Sequence, residues 1–145
     1  MTEDLRLPCK HSKRYRNPQG YPVRAIGERG GQRKYYEHRL VYAEAYGPIP
    51  EDMTIDHLCH GWDETCAGGP TCLHRRCIEL THLEAVPKVV NILRGRGPTA
   101  ANAAKTHCKH GHEFTPENTY YRQDSKNGIR QCRICIQDRN RQRSA

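Results

Sequence analysis

The sequence predicts an α+β chain of two small units, each stapled by metal rather than by a large apolar core. Three observations lead there. Only 35% of the 145 residues are hydrophobic, with one Trp and one Phe, against eight Cys and nine His. Residues 53–95 read as strand, long Cys-rich loop, strand and short helix. A Gly/Pro-opened, Ala-rich stretch without large apolar residues, 98–106, links a unit at 1–97 to a second at 107–145. Small domains with thin cores need such staples.

The elements follow in order. Tyr21–Ile26 and Arg33–Glu37 flank the turn Gly27-Glu28-Arg29-Gly30-Gly31 and predict a hairpin. Glu37–Tyr46 predicts a helix with Leu40, Val41 and Ala45 on one side, stopped by Gly47-Pro48. Met53–His57 is a short strand. After the loop comes His82–Val86, a second strand. Pro87 opens a helix and Gly95 ends it, with Val89, Ile92 and Leu93 as the expected buried face and Asn91 at its edge. In the second unit, Phe114–Arg130 predicts a hairpin turning at Asn127-Gly128.

Charge narrows the partner. Lys+Arg 24 against Asp+Glu 16 gives +8, which favours a polyanion over an acidic or lipid-buried partner. Residues 98–145 carry nine Lys/Arg and four acidic residues, including the tail Arg133, Arg139, Arg141 and Arg143. No apolar run approaches the ~20 residues of a membrane span, and Met1–Pro8 shows no apolar signal core. A reducing cytoplasm is therefore expected, where eight thiols point to metal rather than disulfides.

The chemistry gathers around Asp56-His57, at a strand end, and Asn91, one turn into the following helix. Phosphodiester hydrolysis needs a base for water and a cation for the leaving oxygen. A His with an ordinary pKa near ~6.5 suits the first. A carboxylate and an amide oxygen suit a hard cation such as Mg²⁺. Taken alone, an Asp-His pair at a strand end is more often structural.

The wider series is more specific: His38-Arg39-Leu40-Val41, Gly47-Pro48-Ile49-Pro50, Asp56-His57-Leu58-Cys59, Cys77, His82-Leu83-Glu84-Ala85-Val86, and Asn91 to Arg94-Gly95. Over residues 9–97 it resembles the HNH nucleases of the ββα-metal fold, and among them the zinc-bearing His-Cys box type found in phages and bacteria, homing endonucleases included. The resemblance implies His57 as general base, Asp56 and Asn91 as holders of Mg²⁺ or a similar cation, and double-stranded DNA as the substrate, cut to leave a 5′-phosphate. It puts His82 where plain members carry the middle Asn. The chain departs from the pattern at Glu79-Leu80, where relatives carry Asn-Pro. Arg39 reads equally as a holder of the scissile phosphate or as part of a solvated helix face with His38. The rival reading is a non-catalytic zinc-dependent DNA-binding or phage-packaging accessory protein, which the Glu79 carboxylate favours. Monomer and homodimer are both open.

Three zinc sites are expected. By the same resemblance Cys59, Cys77 and His82 share one ion, with Cys9 as the upstream fourth ligand. Within the insert 59–77 this leaves His60, Cys66, Cys72 and His74, although Cys66, Cys72, His74 and Cys77 can also be grouped. Cys132-x2-Cys135 is a zinc knuckle, and Cys108-x3-His112 supplies its other half, His112 being preferred to His110 because Gly111 can bend the chain. This half resembles zinc ribbons that follow HNH domains.

Overall fold

The computed structural model describes residues 7–122 and 129–144. It divides into two compact units, Met1–Ala100 and Ala101–Ala145.

In the first unit, β1 (Val23–Ile26) and β2 (Arg33–Tyr36) form an antiparallel hairpin, Val23 opposite Tyr36 and Ile26 opposite Arg33. Helix α1 (Glu37–Tyr46) follows directly and ends at Gly47, whose φ of 92° and N–H bond to the Ala43 carbonyl close the last turn. β3 (Met53–His57) pairs antiparallel with β4 (Leu83–Pro87), Asp56 opposite Glu84 and His57 opposite Leu83. The loop between them carries the short helix α2 (Leu58–Trp62) and two 3-10 turns, Leu73–Arg76 and Leu80–His82. Helix α3 (Lys88–Arg94) then packs on β3 and β4, and Gly95 terminates it through its N–H.

Helix α4 (Pro98–Ala104) lies in the stretch read as a linker. The second unit pairs β5 (Thr119–Arg122) with β6 (Ile129–Cys132) and closes on α5 (Arg133–Arg143). The expected turn at Asn127-Gly128 lies outside the described residues.

Among the described residues every sheet has two strands, and a lone hairpin is marginal in water. Among the described residues the buried hydrophobics are Ile55, Leu83, Val86 and the cysteines 59, 72, 77 and 132. Cysteine is thus the commonest of these core residues.

Two helix faces differ from expectation. Helix α1 buries its polar first turn, Glu37 and His38, while Leu40 and Val41 are half-buried and Ala45 is exposed. The cause is a network from the N-terminal arm: Ser12 Oγ and Arg14 Nε donate to the Glu37 carboxylate, Arg14 at 2.7 Å. In α3 the residues Val89, Ile92 and Leu93 are 60%, 42% and 49% exposed. The face turned to the strands instead carries Arg94, anchored on Asp56 and Glu84. A helix two turns long is oriented by such end contacts as readily as by its apolar residues.

Candidate metal centres and the histidine pair

His57 ends β3 with its ring buried. Its Nε2 lies 3.2 Å from the Cys77 carbonyl oxygen, which fixes that nitrogen as the donor and leaves Nδ1 as the acceptor. Nδ1 has no hydrogen-bond partner among the described residues. Burial is the main force pulling the His57 pKa down, to about 4. The Cys77 carbonyl opposes it, and His60, His74 and Arg75 add to it. The ring is therefore a neutral imidazole at pH 7.

His38 stands edge-on to His57, ring centroids 4.7 Å apart, and Tyr21 lies 5.4 Å from His38 and 6.2 Å from His57. Burial, then the neighbouring His57 and Arg39, lower the His38 pKa to about 3. Its Nδ1 is buried without a partner. The motif His38-Arg39 gave no sign of which residue faces inward. The structure sinks His38 against His57 and leaves Arg39 half-buried, with no hydrogen bond or ion pair among the described residues.

Asp56 precedes His57 in an extended strand, so the two side chains leave it on opposite faces. The structure brings Asp56 to α3 rather than to the His57 ring. Arg94 Nη1 lies 3.3 Å from Asp56 Oδ2 and also bonds Glu84. Asn91, half-buried, sits one helical turn before Arg94 on the same face. This face already attracts a cationic group, which suits the oxygen ligands of a hard divalent ion.

All eight Cys and four of the nine His collect into three groups of four, Cys9/Cys59/Cys77/His82, His60/Cys66/Cys72/His74 and Cys108/His112/Cys132/Cys135, each with its ligand atoms within 4.8 Å of one another. In the first, His82 Nδ1 is 3.5 Å from Cys9 Sγ and 3.4 Å from Cys77 Sγ. Cys9 arrives from far upstream because the N-terminal arm runs antiparallel to the end of the insert: Ser12 N–H bonds the Arg76 carbonyl and Ile78 N–H bonds that of Lys10. The contact with Cys59 pulls the Cys77 thiol down to about 5 and pushes Cys59 up.

In the second group, Cys72 Sγ is 3.4 Å from Cys66 Sγ, 3.7 Å from His60 Nδ1 and 3.6 Å from His74 Nδ1. The far nitrogen of His74 faces Asp63 at 3.6 Å, the way a carboxylate orients a metal-bound imidazole. In the third, His112 Nδ1 lies 3.3 to 3.7 Å from the thiols of Cys108, Cys132 and Cys135. Gly111, at φ +83°, makes that bend; Cys132 ends β6 and Cys135 stands in the first turn of α5, a helix the Arg-rich tail did not suggest.

The donor chemistry fits zinc. A tetrahedral ion with Zn–S near ~2.3 Å and Zn–N near ~2.0–2.1 Å sets its ligand atoms about 3.3–3.8 Å apart. Three Cys/His clusters can therefore bind zinc. Glu79, the departure from the expected Asn-Pro, caps the 3-10 turn leading to His82 by accepting from Thr81 N at 3.5 Å and Thr81 Oγ1 at 3.4 Å.

Comparison with known proteins adds the family. The family described as HNH endonuclease matches residues 35–61, which hold α1, β3, Asp56 and His57. An "Uncharacterized gene 5.3 protein" of Enterobacteria phage T3 is 35% identical over 81 residues, covering 54% of this chain and 67% of that one. No solved structure matches. No helix among the described residues is long and apolar enough to cross a membrane. With its strand-end Asp-His pair inside the matched segment and a phage relative that it matches over two thirds of that relative's length, the chain belongs to the HNH family as a phage-type member.

Proposed function

We propose that the chain is a DNA endonuclease that hydrolyses a phosphodiester bond of double-stranded DNA in the cytoplasm of a bacterial or phage-infected cell. The observation that carries this reading is the state of His57. Burial keeps it a neutral imidazole, with Nε2 committed to the Cys77 carbonyl and Nδ1 left as the acceptor. In this reading Nδ1 takes a proton from water, the water oxygen bonds to phosphorus, and the bond to the 3′ oxygen breaks, leaving a 5′-phosphate. A divalent cation held by Asp56 and Asn91 would supply charge stabilisation at the leaving oxygen. Arg39, half-buried and without a hydrogen bond or ion pair among the described residues, holds a non-bridging oxygen. Arg133, Arg139, Arg141 and Arg143 on α5 contact the backbone, which gives affinity and salt dependence rather than sequence choice. Zinc in the three clusters replaces the apolar core, and its binding supplies folding free energy. Glu79, the residue favouring a non-catalytic binder, is engaged in capping its own turn.

The test is incubation of the zinc-loaded chain with supercoiled plasmid, with and without Mg²⁺, beside His57→Gln. Nicking or linearisation only by wild type with Mg²⁺ is expected. Intact plasmid in every lane, with Mn²⁺ substituted as well, refutes the reading.

A further inference from the structure

The β3–β4 register sets Asp56 directly opposite Glu84 on one face of the hairpin. Two carboxylates so placed repel each other unless a positive charge joins them. That charge is Arg94: a single nitrogen, Nη1, lies 3.3 Å from Asp56 Oδ2 and also bonds the Glu84 carboxylate. Arg94 is the last residue of α3, three after Asn91 and on the same face. Its side chain is 45% exposed, with Gly95 and Gly97 just beyond it, so it can leave without disturbing buried structure.

We propose that Arg94 is a resident cation that holds the Asp56–Glu84 pair and that a divalent ion must displace it to bind there. The inference rests on the cation role proposed for Asp56 and Asn91. A guanidinium on the Asp56 oxygen and a metal ion on the same carboxylate carry like charges, so each weakens the other's hold. Arg94 thereby sets the cation concentration at which the site fills, and Glu84 is the second carboxylate that the incoming ion meets.

The exchange is read without DNA and without turnover. Mn²⁺ is titrated into the zinc-loaded full chain, and the loss of the free-ion electron paramagnetic resonance signal gives its affinity. Releasing two exposed guanidinium–carboxylate contacts should make Arg94→Gln bind Mn²⁺ about three- to twentyfold more tightly than wild type, with zinc content unchanged. Arg94→Lys keeps one charged nitrogen for the two carboxylates but holds it on a more flexible stem without the planar guanidinium; it should fall between wild type and Arg94→Gln and serves if Arg94→Gln does not retain zinc. Asp56→Asn should lose the Mn²⁺ site. Equal or weaker binding by the Arg94 variants, with Asp56 dependence intact, overturns the exchange alone. Mn²⁺ binding that ignores Asp56→Asn, or no binding by wild type, overturns both the exchange and the cation role beneath it.

Discussion

Replacing His57 by Ala and by Gln separates the chemistry of the ring from its packing. The ring is only 8% exposed and sits against His38 and Tyr21, with Nε2 bonded to the Cys77 carbonyl. Truncation to Ala opens a void beside His38, costing ~2–3 kcal/mol by analogy with large-to-small core changes. It also leaves the Cys77 carbonyl without its donor, adding about 1 kcal/mol. Against a total stability of ~5–15 kcal/mol, that is a large share, and Tm should drop by roughly 10–25 °C in a unit of this size. Gln keeps an N–H for the carbonyl and much of the volume, so its cost should be about 1 kcal/mol. Both variants lack the imidazole, and loss of a general base typically slows a reaction by ~10²–10⁴-fold. The assay pairs thermal unfolding of the zinc-loaded proteins with single-turnover plasmid nicking in Mg²⁺. Slow cleavage by a His57→Gln protein that melts within a few degrees of wild type is expected. Cleavage by that variant within about threefold of wild type would refute the base assignment.

Elemental analysis of protein purified without added metal should give about three zinc per chain, one for each four-ligand cluster. Cys135→Ser should lose one of them and weaken DNA binding while the first unit's melting transition stays put; a wild-type value near one would sink both clusters of that unit. Because burial lowers the His57 pKa to about 4, the base form persists well below neutrality. The cleavage rate should stay flat from pH 8 to 6, where an ordinary histidine has lost about three quarters of its base form; a decline centred near ~6.5 argues against the buried base. The sign for stability is the converse of a paired histidine: the unfolded chain takes up the proton first, so stability is lost as pH falls from the ordinary value toward the lowered one. Asn91→Ala should cut Mg²⁺-dependent cleavage heavily with little change in melting, whereas Asn91→Asp keeps an oxygen ligand and should retain it; equal rates for Asn91→Ala and wild type across a Mg²⁺ titration would remove Asn91 from the cation site.

Local punctuation made part of this fold legible. Helix α1 begins where the hairpin ends and stops at Gly47-Pro48, and β3 runs over Met53–His57, both as the residues suggest. The facing of the helices was not legible, because it depends on distant partners. Arg94 turns α3 by reaching Asp56, far earlier in the chain, and the arm residues Ser12 and Arg14 pull Glu37 inward. His38 gave no local signal either. A histidine on a helix reads as solvated until the chain behind it is folded, and only the 4.7 Å approach to His57 marks it. Helix α5 has no apolar stripe, so its Arg-rich sequence read as a tail.

Cys59 and Cys77 are the two ends of the insert and members of one cluster. They work as a buckle: whatever lies between them, the chain leaves and returns at the same place. The entropy of closing such a loop changes slowly with its length, so residues added at the Ala67–Gly69 bend should leave the Cys77 carbonyl's hold on His57 in place. The second Cys/His cluster lies wholly inside that buckled loop.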